Sequence, residues 1–243
     1  MNRFHSLIVV GLLSFSSFAF ASQALDSLKS GNCSSWASSS RQPTLLITFE
    51  GLASHNSRVT KKVYSNFEKS KKGQKVDAVS GGSGFMGRGL MNPLVTKYPY
   101  GYEFLLLSQT WSNGRLDQIV KCISDWKRVR GQRMRLVLSG HSNGGDAAFR
   151  LTQLLRKKKI KVDGLLTVDP LPKIGTYGSS THMRNFKQPI DSVGVHVNFH
   201  VNGNRLANLE FADVNKVVKA SHVRAPFKPE VLKALKGMIG AKK

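Results

Sequence analysis

Four runs of consecutive apolar residues, each closed by turn-forming or polar residues, constrain this chain more than any other feature. They are Leu45-Leu46-Ile47-Thr48-Phe49 before Glu50-Gly51, Phe104-Leu105-Leu106-Leu107-Ser108, Arg135-Leu136-Val137-Leu138-Ser139 and Gly164-Leu165-Leu166-Thr167-Val168. A strand with one wet face alternates apolar and polar residues; a run without alternation belongs to a strand covered on both faces. A fifth run, residues 193–201, is β-branched and partly alternating. Stretches with helical spacing lie between and after the runs, at residues 58–69, 116–128, 146–156 and 229–239. Strand and helix in turn imply parallel pairing and helices on both faces of one sheet. The expected fold class is therefore α/β, a mostly parallel central sheet in three layers. No repeat, low-complexity tract or linker divides residues 43–243, which read as one domain.

The segment ahead of that domain sets the compartment. Arg3 supplies a positive start, residues 7–20 form a short apolar stretch, and Ala19-Phe20-Ala21 offers small residues where a signal peptidase reads. Residues 1–21 are expected to be a cleaved signal peptide, which implies a secreted or periplasmic protein. The alternative is a retained anchor, but about 14 apolar residues fall short of the roughly 20 of a spanning helix. Residues 22–42, rich in serine, read as a loop-like lead-in. Export permits Cys33 and Cys122, the only two cysteines, to pair; two unpaired buried thiols are the other reading.

The strongest chemical signal lies where the third run meets the helical stretch after it. Gly140-His141-Ser142-Asn143-Gly144-Gly145 contains Gly-x-Ser-x-Gly between an apolar strand and Ala147, Ala148, Leu151, Leu154 and Leu155 at helical spacing. A nucleophile on so sharp a strand-to-helix turn takes a strained backbone, and side chains two residues before and after it would collide. Glycine at both positions removes the collision. The turn lifts the Ser142 hydroxyl above the sheet beside a helix N-terminus and aims the Asn143 amide at an oxyanion.

This segment resembles the nucleophile elbow of the α/β-hydrolase superfamily, in particular its lipase-like and esterase-like members. The resemblance spans residues 43–243 in element order, with the close match confined to the elbow. It implies an eight-stranded or shortened parallel sheet, a Ser–acid–His triad in that chain order, and acyl transfer. Serine is a poor nucleophile without a base, and the base needs an acid to hold its tautomer. Asp169 ends the fourth run before Pro170 and is the expected acid, with Asp213 and Asp191 as competitors. His222, in the loop before the last helical stretch, stands where the superfamily carries its base. His141 adjoins Ser142 too closely to reach its hydroxyl and is expected to pack or bond locally. The second oxyanion donor is expected from the loop after the first run, at the amide of Gly51 or Leu52; Glu50 beside them bonds the loop or contacts substrate.

Other patterns carry less. His196 and His200 share one strand face, as a metal pair or as packing, and the packing reading is favoured; no metal or other cofactor is expected. His55 and His182 stand in loops without a supporting pattern. Gly82-Ser83-Gly84-Phe85-Met86-Gly87 has the dinucleotide spacing, but no long apolar strand precedes it and Lys97-Tyr98-Pro99-Tyr100 stands where an acid is needed. A Gly-rich mobile loop with Phe85, Met86 and Leu90 near an acyl pocket is the preferred reading. The net charge of +23 would suggest nucleic acid in a cytosolic chain, yet an exported chain without aromatic-interleaved binding motifs is expected to use it on an anionic membrane or envelope polymer. The function expected is an exported serine hydrolase cleaving an ester or thioester, with a small-molecule or lipid ester as substrate. An amide or peptide hydrolase with the same residues, or an idle hydrolase scaffold binding acidic surfaces, are the alternatives.

Overall fold

The chain's computed structural model describes residues 27–28, 30, 32–39, 42–51, 78–80, 85–98, 101–107, 115–131, 134–171 and 190–240. The expected signal peptide and helix at 58–69, together with Leu52, His55 and His182, lie outside these residues. The apolar runs become strands. They are β1 (Thr44–Phe49), β3 (Glu103–Leu107), β4 (Arg135–His141) and β5 (Gly164–Val168), joined by β2 (Ala78–Ser80), β6 (His196–Val201) and β7 (Val214–Val218). The sheet order is β2-β3-β1-β4-β5-β6-β7, and every neighbouring pair is parallel.

Side chains alternate across this sheet into two cores. Leu45, Ile47, Phe49, Leu105, Leu107, Leu136 and Leu138 pack on one face with α1 (Ser34–Ser39), α3 (Leu116–Arg130) and α4 (Asn143–Lys157). Leu46, Phe104, Leu106, Val137, Leu166 and Val168 pack on the other with a π-turn (Gly87–Met91), the α2 helix that continues it (Asn92–Lys97) and α5 (Pro229–Ile239). Each fully buried aliphatic side chain contributes about 1.5–3 kcal/mol relative to exposure. The central strands, buried at all their apolar positions, therefore hold the sheet more firmly than β7, where Val217 is 55% exposed. The three layers agree with the fold class read from the runs.

Three local readings are corrected. The serine-rich lead-in is not a loop throughout: Ser34–Ser39 form α1, fastened by the Cys33–Cys122 disulfide to α3 and by buried Ala37, although serine has modest helix propensity. From Phe85 onward the expected Gly-rich loop is helical, residues 85–97, with Met86 and Leu90 fully buried in the second core; Gly82, Ser83 and Gly84 lie outside the described residues. The strand ahead of it, β2, is only three residues long and lies at the sheet edge, in keeping with the lack of a long apolar run there. The fifth strand is shorter than its run, starting at His196 after an isolated bridge at Val193. Among the described residues, no helix is long and apolar enough to cross a membrane.

The sheet order reverses between β1 and β4, the chain passing first to one side and then to the other. In an open parallel sheet, ligand sites form beyond the strand C-termini near such a reversal. Phe49 and Gly140 face each other in register there, so Glu50-Gly51 and His141-Ser142 emerge side by side.

Candidate active site

Ser142 occupies φ 56°, ψ −127°, a region that a residue with a side chain enters only under constraint. The constraint is visible around it. Its amide donates to the Val168 carbonyl at 3.1 Å, and its carbonyl accepts from Gly145 and Leu171, each at 3.0 Å. A Cβ on Gly140 would fall under 3.0 Å from the Gly144 carbonyl, and one on Gly144 under 3.0 Å from the carbonyls of Phe49 and Glu50. The steric reason given for the two glycines is thus met by named backbone atoms. Ala147, Ala148, Leu151 and Leu155 turn inward, so the small face of α4 lies on the sheet.

Asp169 follows β5 directly and is fully buried. Its Oδ2 accepts from His222 Nδ1 at 2.5 Å, and its Oδ1 accepts from the Val201 amide at 3.1 Å and from Asn204 Nδ2 at 2.9 Å. Burial pushes this carboxyl up, but the bonds from His222, Val201 and Asn204 outweigh it and hold Asp169 below its usual value of 3.8. Nothing in the sequence marked Asn204, since a donor from a distant turn has no motif. The competitors lie elsewhere: Asp213 Oδ2 accepts the His196 amide at 2.7 Å at the start of β6, and Asp191 pairs with Arg156. His222 stands in a 3₁₀ turn, His222–Phe227, rather than in an open loop. Gly89 lets that turn approach, because a Cβ there would meet the Phe227 ring at 2.9 Å.

Asn143 begins α4 immediately after Ser142, and its side-chain amide donates to the Leu171 carbonyl at 3.1 Å. Gly51 lies against the serine: a Cβ on it would come within 3.0 Å of Ser142 Cβ. Leu52, the other candidate, is outside the described residues. Buried Glu50 points to the helix beyond, its carboxylate accepting from the Met86 amide at 3.1 Å and the Gly87 amide at 2.7 Å. That carboxylate occupies the helix-start amides a dinucleotide phosphate would need, which argues physically against the fingerprint reading. Phe85 stands edge-on to the His141 ring at 6.1 Å.

The other described histidines, on β6, are bonded to neighbours. His196 Nε2 donates to Thr167 Oγ1 at 3.0 Å, because that hydroxyl is itself committed to Asn198; His200 Nδ1 donates to the Val201 carbonyl at 3.4 Å. Among the described residues, no three His, Cys, Asp or Glu are placed to hold a metal ion. Burial lowers His141 to about 3, with the nearby His222 acting in the same direction, and lowers His196 to about 4 against the raising influence of Asp213. An unfolded chain binds these two protons near pH 6.5, whereas the folded chain refuses them until about pH 3 and 4. Stability is therefore expected to fall as pH drops below 6.5, by about 1.4 kcal/mol per pH unit for each histidine. Urea midpoints that stay level from pH 7 to 4.5 would contradict this.

No family model matches the chain, and no curated protein is similar to it in sequence. Among solved structures it is similar to a protein described as a cell-surface hydrolase of Lactobacillus plantarum, with 11% identity, TM-score 0.49 and coverage of 84% of this chain and 94% of that one. It is also similar to an esterase of Pyrobaculum calidifontis, with 7% identity, TM-score 0.48 and coverage of 94% and 92%. A third is a thermostable esterase of Pseudomonas putida, with 10% identity, TM-score 0.39 and coverage of 83% and 73%. The architecture is legible in the chain itself: a parallel sheet reversing between β1 and β4, Gly140-His141-Ser142-Asn143-Gly144 at the strand-to-helix turn with Ser142 at positive φ, and Asp169 and His222 following in sequence. This is the α/β-hydrolase fold.

Proposed function

We propose that the protein is a serine hydrolase that cleaves a carboxylic ester or thioester through an acyl-enzyme. Ser142 Oγ attacks the acyl carbonyl while His222 Nε2 takes its proton, and the oxyanion that forms is held by the Asn143 amide and an amide of Gly51 or Leu52. Collapse breaks the bond to the leaving alcohol or thiol, which takes the proton from His222. Water then attacks the acyl-enzyme with His222 as base, releasing the acid and restoring Ser142. Asp169 keeps the proton of His222 on Nδ1, leaving Nε2 open to accept. The observation that carries this reading is the bond from His222 Nδ1 to buried Asp169, which follows β5, the strand paired with the one that leads into a serine held at positive φ.

A fluorophosphonate probe is expected to label the folded protein at Ser142 and to leave Ser142→Ala unlabelled. A folded wild-type chain that takes no label would favour an idle scaffold. Faster turnover of matched anilides than of esters would favour the amide reading instead.

Export through residues 1–21 would bring this basic chain to anionic lipid or envelope polymer. Its cations gather at helix ends such as Arg128 and Arg130 on α3 and Arg156 and Lys157 on α4, where they also suit the helix dipole. Turnover of a vesicle-borne ester is expected to be faster on anionic than on neutral vesicles, with the gap closing as salt rises. Equal rates at every ionic strength would count against surface attraction.

A further inference from the structure

His141 is buried beside Ser142, yet the mechanism above gives it no task. Its Nε2 lies 2.9 Å from the main-chain carbonyl of His222, 81 residues on. A carbonyl only accepts, so the proton of neutral His141 is on Nε2 and is donated to His222. Pro226, four residues after His222, has no N–H to offer that carbonyl as an α-helix would, and the His141 ring fills the place. The two imidazoles sit 4.5 Å apart between centroids, with the His141 ring edge-on to Phe85 on another side. The charged and titratable groups acting on His141 are His222 and Asp169.

We infer that His141 is a positioning residue: its ring N–H holds the backbone of His222 so that the imidazole stays aligned between Asp169 and the serine. The inference deepens the proposed hydrolase reading and rests on it for its kinetic consequence. A side chain that merely packed there would need ring volume; one that positions needs a donor. His141→Gln keeps a donor at about the reach of Nε2 and loses the ring. His141→Phe keeps the ring contacts and loses the donor, leaving the His222 carbonyl without this bond.

On an activated ester, His141→Phe is expected to lose about 10- to 100-fold in kcat with little change in KM, while His141→Gln stays within about threefold of wild type. His141→Leu takes the place of the Phe variant if the latter does not fold, as judged by circular dichroism and melting. A donor-less variant with wild-type kcat, or a Gln variant as slow as the Phe one, would overturn the inference. The Nδ1 proton of His222, followed by NMR, gives a readout that needs no turnover. Its resonance is expected to stay sharp in wild type and the Gln variant and to broaden in the Phe variant; a sharp signal in all three overturns the positioning role. If wild type takes no fluorophosphonate, the hydrolase reading fails, and the resonance still decides what His141 does.

Discussion

Asp169→Asn is expected to lower kcat on an activated ester by a factor on the order of 10³–10⁴ with KM little changed, whereas Asp213→Asn leaves both near wild type. The reason is the direction of one hydrogen bond. Asp169 Oδ2 can only accept, so His222 carries its proton on Nδ1 and presents a bare Nε2. Asparagine can offer an N–H to the same ring nitrogen, which favours the opposite tautomer and places a proton where the serine must deliver one. The amide would still bond Val201 or Asn204 through its oxygen, so folding is little affected and the loss appears in the chemical step. Asp213 accepts from a backbone amide at the opposite end of β6 and has no route to His222. A large loss confined to Asp213→Asn would sink the assignment.

Gly144→Ala is expected to destabilise the protein by about 3 kcal/mol or more, lowering the melting temperature by on the order of 10 °C. The added carbon would meet the carbonyls of Phe49 and Glu50, which are main-chain atoms at the end of β1. Flexible side chains can yield a few tenths of an ångström; a strand paired on both sides cannot, because β1 lies between β3 and β4. The control is Gly237 in α5, where a Cβ would meet nothing within 4 Å. Gly237→Ala is expected to be neutral or to stabilise by about 0.5–1 kcal/mol, through helix propensity alone. Equal melting temperatures for the two variants would show that the close approach at Gly144 is not what the elbow requires.

The contrast between these two glycines also marks how much the sequence discloses. The central strands were readable because burial on both faces keeps polar residues few and bonded to one another, as Thr48 is to Ser139, and β5 and α5 follow their runs residue for residue. The elbow was readable because its steric demand is local: two glycines flanking one serine at a strand-to-helix turn. β7 escaped notice because an edge strand with exposed positions, Val-Asn-Lys-Val-Val, has no pattern that separates it from a loop. The helical stretch at residues 85–97 was hidden by Gly87, Gly89 and Pro93, which look like loop residues. Gly89 is needed there for a contact with Phe227, 138 residues on, and the sequence around it cannot express such a requirement. The same holds for His141. Its adjacency to Ser142 suggested a local bond, but its partner is a carbonyl reached only once the turn ahead of α5 has docked.

The disulfide gives the molecule a covalent property separate from its stability. Cys33 and Cys122 are 89 residues apart, and the chain between them supplies β1, β2, β3 and the Glu50-Gly51 corner, while β4 and everything that follows lie beyond Cys122. A single backbone cut anywhere inside that loop leaves both pieces joined through sulfur. The corner that lies against Ser142 and the serine itself would thus remain parts of one molecule after such a nick. Reduction of the same nicked chain would remove that covalent tie, leaving the pieces joined only by the pairing of β1 with β4 and the shared core.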